Sequence, residues 1–98
     1  MEIVWSPIAR KGFDNIVLFL ERKWEKKVIV KLFSELEASL KLIGKNPYLF
    51  PVISVKKQIR KCVIRRRTLL FYNVDEKNQR IEVVKVVEGR INPLKYKI

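Results

Sequence analysis

Apolar and polar positions fall into two regimes along this chain. After a short β-prone run at Ile3, Val4 and Trp5, the dipeptide Ser6-Pro7 reads as a helix start. Serine suits the N-cap, and proline suits the first helical position, where its missing N–H is not needed. Apolar residues then recur at Ile8, Phe13, Ile16, Val17, Leu20 and Trp24, one face at a 3.6-residue period. Gly12 lies within that helix and weakens it by about 1 kcal/mol relative to alanine. A second stripe follows at Val28, Leu32, Phe33, Leu36, Leu40 and Ile43, with Gly44 placed to end the helix and Asn46-Pro47 enforcing the stop. Two amphipathic helices on a short joint predict a helical hairpin.

From residue 47 the pattern changes. Pro47 and Pro51 punctuate a loop, and runs rich in Val, Ile, Phe and Tyr predict strands over Ile59–Arg65, Thr68–Asp75 and Ile81–Glu88. The order is β-α-α-β-β-β. The short links make the last three strands an antiparallel meander, and the first strand must join that sheet or stay unpaired. The predicted architecture is an α+β fold in a single domain spanning residues 1–98, an antiparallel sheet with the helical hairpin packed on one face and the other face open. Trp5, Ile16, Leu20, Leu32, Leu36, Leu40, Phe71 and Val84 are the expected core. On the strand starting at Ile59, Arg60, Cys62 and Ile64 share one side, and Ile59, Lys61 and Val63 share the other. Neither alternation is clean, so the pattern leaves the core face of that strand open.

Charge sharpens this picture. The net charge is +12. Residues 1–50 hold nine Lys/Arg against six Asp/Glu, a net of +3, and residues 51–98 hold thirteen against four, a net of +9. A field of that sign draws polyanions, nucleic acid first and an acidic protein second. Lys56, Lys57, Arg60, Lys61, Arg65, Arg66 and Arg67 fall within twelve residues, and Arg90, Lys95 and Lys97 follow the last strand. Brought together, they would line a cationic groove suited to a phosphate backbone. Tyr48, Phe50, Tyr72 and Tyr96 are candidates for base stacking, although Tyr72 is better read as core. The single cysteine, Cys62, makes no internal disulfide and fits a reducing compartment. The absence of histidine excludes imidazole metal sites and imidazole acid–base chemistry. No apolar run approaches a membrane span and the N-terminus has no signal-peptide core, so the expected location is the cytoplasm.

The segments "EIVWSPIARKGFDNI", "IRKCVI", "LLFYNVDEKNQRIEVVKVVEGR" and the closing tail, taken in order, resemble the RelE/ParE toxins of bacterial type II toxin–antitoxin pairs. That resemblance implies a growth-arresting toxin wrapped by the acidic segment of a cognate antitoxin. Its target would be mRNA, cleaved on the ribosome, or alternatively DNA gyrase, inhibited without catalysis. A basic nucleic-acid-binding module without toxicity is the third reading. The family's ribosome-dependent RNases carry a basic set on the open sheet face, with an arginine and a tyrosine in the tail. Arg60 falls where the first strand lysine stands, Cys62 where the second stands, and Leu69 where an arginine begins the middle strand. Arg90 matches the tail arginine and Tyr96 the tail tyrosine. Arg60, Arg90 and Tyr96 are thus the implied catalytic residues, with Lys56, Lys57, Lys61, Arg65, Arg66, Arg67 and Lys95 as nucleic-acid contacts. No cofactor and no metal are implied. The RNA 2′-hydroxyl attacks its neighbouring phosphate, arginines neutralise the growing charge, and Tyr96 or a lysine moves the proton.

Overall fold

The structure is a computed structural model and describes residues 1–89. Its elements are β1 (Glu2–Trp5), α1 (Pro7–Arg22), α2 (Lys26–Lys45), β2 (Val52–Ser54), β3 (Ile59–Arg65), β4 (Thr68–Asp75) and β5 (Arg80–Glu88). The α+β reading holds, and the three meander strands fall within a residue of their predicted bounds. The five-stranded sheet runs β1-β5-β4-β3-β2. Strands β2 to β5 pair antiparallel, while β1 pairs parallel with β5, in register Ile3↔Ile81 and Trp5↔Val83. The helical hairpin is the crossover that makes a parallel neighbour possible. Strand β2 corrects the loop expected there. Val52 and Ile53 are β-prone, and a turn over residues 55–58, with Gln58 at φ 54°, folds them back onto β3.

Ser6 caps α1 as expected, its hydroxyl accepting from the Ala9 N–H at 3.0 Å. The joint between the helices departs from the periodicity. Trp24 adopts φ 58° and is 85 % exposed. Its N–H reaches the Glu21 carbonyl, and the next N–H, of Glu25, reaches the Leu20 carbonyl, the paired bonds of a Schellman ending. The stripe extrapolated to Trp24 therefore ran two residues past the end of the helix. Ile8, also placed on the stripe, is exposed, and it is its neighbour Ala9 that is buried against the sheet in the first turn. Gly44 does not terminate α2. The helix runs to Lys45 and stops at Asn46, whose extended φ of −141° is what a residue before proline prefers.

The helices bury Ala9, Phe13, Ile16, Leu20, Leu32, Leu36 and Ile43 against Cys62, Ile64, Leu70, Tyr72, Ile81, Val83 and Val86. Trp5 and Leu40 pack half-buried at its margin. Gly12 has a packing reason. A Cβ there would lie 2.6 Å from the carbonyl oxygen of Val86, so the bare glycine lets α1 lie directly on β5. The opposite sheet face carries apolar residues of its own. Ile59, Phe71 and Val87 are buried there with Leu69 and Val84 beside them, a second and smaller apolar cluster.

Candidate nucleic-acid interface

Strand register decides which cations share a surface. Arg60 stands opposite Tyr72, and Cys62 opposite Leu70, both core residues on the helix side. Lys61 stands opposite Phe71, in the cluster on the other face. Arg60 is therefore not on the face where the resemblance would put its first strand cation. A one-residue step in a strand reverses the face, so Lys61 takes that orientation instead. The Arg60 guanidinium has other work. Its Nη1 donates to the Phe50 carbonyl at 2.7 Å and to the Tyr48 carbonyl at 3.2 Å, and it sits 5.0 Å from the centroid of the Tyr48 ring. From the same side, the Tyr72 hydroxyl donates to the Pro47 carbonyl at 2.7 Å. Two side chains of the sheet thus pin the loop that joins α2 to β2. Tyr72 is fully buried, as the core reading held.

Burial pushes the Tyr72 phenol above its ordinary value of 10.0, and the Arg60 charge offsets part of that rise. Burial also pushes the Cys62 thiol above 9.0, against a smaller opposing hydrogen bond with Ser39. Both groups are acids whose neutral form is favoured by folding. Their contribution is fully present below the unfolded values and is lost as pH rises through the folded ones. Stability should therefore fall once pH climbs past about 9 to 10. A urea titration at stepped alkaline pH checks this, and native Cys62 should react with a thiol reagent far more slowly than in the unfolded chain.

The seven clustered cations do not converge. Lys56 and Lys57 are exposed in the turn before β3, and Arg66 and Arg67 are exposed in the two-residue turn after it. About 20 Å of strand separates the two ends, at roughly 3.3 Å per residue. Arg65 pairs with Glu35 of α2 at 3.3 Å. Among the described residues, Arg66 and Arg67 make no ion pair. The arginine turn and the start of α2 border an open pocket of about 260 Å³, lined by Glu25, Val28, Arg65, Arg66, Arg67, Thr68 and Glu88. Leu69 sits in the apolar row Val63–Leu69–Val87. Lys61 and Lys85 both stand opposite Phe71 on this face. The sequence reading missed Lys85, because its orientation depends on a strand irregularity that alternation does not reveal. Arg90, Lys95 and Tyr96 lie outside the described residues.

A different surface runs along the helical hairpin. An apolar groove of about 450 Å³ lies between α2 and β1, lined by Ile3, Phe33, Leu36, Glu37, Leu40, Lys41 and Gly44. Phe33 also borders a second depression, shared with Phe13, Val17 and Leu18 of α1. Among the described residues, no helix is long and apolar enough to cross a membrane.

This fold is that of known toxin structures. A YoeB/ParE toxin from Agrobacterium tumefaciens superposes with a TM-score of 0.67 at 15 % identity, covering 90 % of this chain and 98 % of that one. A metal-bound toxin from Helicobacter pylori gives 0.64 at 15 % identity, with 94 % and 98 % covered. A chain of the E. coli DinJ–YafQ complex gives 0.59 at 13 % identity, with 93 % and 96 % covered. A search of curated proteins found no match. Residues 3–93 match the ParE toxins of type II toxin–antitoxin systems, parDE, and the chain belongs to that family.

Proposed function

We propose that this toxin arrests growth by acting on RNA, as a ribosome-dependent mRNA interferase. The observation that supports this reading is the line of cations along β3, from Lys56 and Lys57 through Lys61 to Arg66 and Arg67. Spread over about 20 Å, it suits a strand of RNA laid along the sheet better than a point ligand. The chemistry is attack of a 2′-hydroxyl on the adjacent phosphate, with Arg90 stabilising the charge that develops and Tyr96 moving the proton. Arg60 drops out of this set, because its guanidinium holds the loop at residues 48–50. The gyrase reading draws support from the same withdrawal and from Cys62 and Leu69, which leave all three strand positions of the resemblance without a cation on the sheet face. The partner in either reading is an acidic antitoxin segment. Opposite charge speeds its encounter with a +12 chain, and the groove beside Phe33 and Leu36 seats its apolar anchors.

Induction followed by primer extension on ribosome-bound mRNA separates the targets. Discrete new 3′ ends are expected, with supercoiling of a reporter plasmid unchanged. Arg90→Ala should abolish both the cleavage and the arrest while leaving the thermal midpoint close to the parent's, since the role proposed for this side chain is to meet a phosphate. Intact message together with relaxed plasmid would replace the RNA reading with the gyrase reading.

A further inference from the structure

The sheet ends at β2, and the outer edge of that strand is unpaired. An open edge presents free N–H and C=O groups, which natural proteins usually blunt or cover. Strand β2 is short, but the chain on both sides of it is exposed and apolar. Tyr48, Leu49, Val52, Ile53 and Val55 all reach solvent, Ile53 at 42 % and Val55 at 77 % exposure. The strand is also held ready. The Lys61 N–H donates to the Pro51 carbonyl at 3.1 Å, and Val52 stands opposite Arg60. The turn after it is tied at several points. The Lys57 N–H donates to the Ser54 hydroxyl, the Gln58 side chain to the Val55 carbonyl, and the Asn73 side chain to the Lys57 and Gln58 carbonyls. An edge already fixed in extended form loses little freedom when another strand pairs with it.

Charge decides what kind of strand fits. Residues 38–74 hold nine Lys/Arg and no Asp or Glu, and Lys56 and Lys57 are exposed directly after β2. Lysines beside an edge repel a second copy of this chain, which would bring the same charges to the same place. They attract an extended segment rich in Asp and Glu. The opposite edge of the sheet is unlike this one. The apolar residues of β1, Ile3, Val4 and Trp5, are half-buried, and in its register with β5 Glu2 and Glu82 outnumber Arg80. An acidic strand therefore finds cations and uncovered apolar side chains together at β2 and not at β1.

We infer that the acidic antitoxin segment adds to the sheet as a sixth strand beside β2. Its backbone pairs with the open edge, its apolar side chains cover Ile53 and Val55, and its carboxylates meet Lys56 and Lys57. This rests on the antitoxin as partner and gives it a second seat, across the sheet from the groove between α2 and β1.

The probe is a short fluorescein-labelled peptide that alternates glutamate with isoleucine or valine, titrated into the full chain and read by anisotropy. Two N-methylated forms keep the same side chains and charge, but each lacks the N–H groups of one set of alternate residues. Blocking the set that faces β2 should weaken binding by about tenfold or more, and blocking the other set should leave it within about threefold. This comparison needs no change to the protein, so the folding of a variant does not enter it. Binding should also fall as salt rises. Ile53→Glu and Lys56→Glu should each weaken it, while Phe33→Ser, in the groove beside α2, should not. Equal affinity of the two N-methylated forms, or no binding by the parent chain at low salt, overturns the strand addition. Binding lost in Phe33→Ser and kept in Ile53→Glu puts the acidic segment in the groove and overturns it as well. Growth-arrest assays keep the two ideas apart. Arrest by a chain that binds no peptide at β2 leaves the toxin–antitoxin reading standing without the edge site. Pairing at β2 in a chain whose induction arrests no growth leaves the edge site standing and removes the antitoxin as its occupant.

Discussion

Gly12→Ala should destabilise this protein, although alanine is the better helix former by about 1 kcal/mol. The new Cβ would fall 2.6 Å from the Val86 carbonyl oxygen and 3.7 Å from its carbon. Both belong to backbone, so no side chain can swing aside, and either α1 lifts from β5 or β5 itself is displaced. Overpacking of this kind costs about 1–3 kcal/mol, and a backbone neighbour puts it toward the upper end. Lifting α1 also strains both hydrogen bonds of Ser6 to β5. The control is Gly44→Ala. Gly44 is also inside a helix, but its added Cβ would meet only the Ile3 side chain at 3.9 Å, an ordinary contact. That change should raise stability by up to about 1 kcal/mol. Urea midpoints of opposite sign for the two alanines are the expected result. A Gly12→Ala midpoint at or above the parent would mean that α1 does not sit on Val86 as described.

The contrast between the two glycines shows where the sequence was readable. Periodicity placed both helices and three strands, because amphipathic patterns record which face meets the core. It could not tell Gly12 from Gly44. Helix propensity treats them alike, and the difference lies in a strand more than seventy residues away. The same limit explains Trp24. Its spacing fits the stripe, and only the reversal of the chain shows that it closes the helix instead of extending it. Strand β2 was missed because three residues between a proline and a lysine-rich turn give too short a run to show alternation.

Charge was legible as a total and misleading as a cluster. Seven cations within twelve residues suggested one groove. A strand alternates its faces and holds its two end turns apart, so the structure distributes them. Lys56 and Lys57 go to one turn, Arg66 and Arg67 to the other, Lys61 to one face and Arg60 to the other, and Arg65 to an ion pair with Glu35. A run of arginines at a hairpin therefore makes the end of a track rather than a pocket for seven charges. Lys85 lies eighteen residues beyond that cluster in sequence, and a bulge in β5 brings it to the row of Lys61.

Arg60→Ala should be felt as lost stability rather than as a loss of phosphate contact. The change removes a charged donor shared by the Tyr48 and Phe50 carbonyls and the stacking of that donor on the Tyr48 ring. Hydrogen bonds from charged groups contribute about 1.5–3 kcal/mol when well made, and a cation over an aromatic ring adds about 0.5–1 kcal/mol. The site is only partly buried and water replaces some of this, so the net loss should be about 1–3 kcal/mol. Tyr72 would still hold the Pro47 carbonyl, which keeps the loop attached at its first residue. Arg60→Lys should recover only part of the loss, because a lysine ammonium lacks the planar guanidinium that lies over the Tyr48 ring while its Nη1 reaches both carbonyls. The RNA salt slope should stay at the parent value in both variants, since no counterion is released by a guanidinium already turned toward the helix side. Thermal melts and salt-dependent anisotropy on the same preparations decide the matter. An unchanged midpoint with a shallower salt slope would return Arg60 to the phosphate and remove it from the loop.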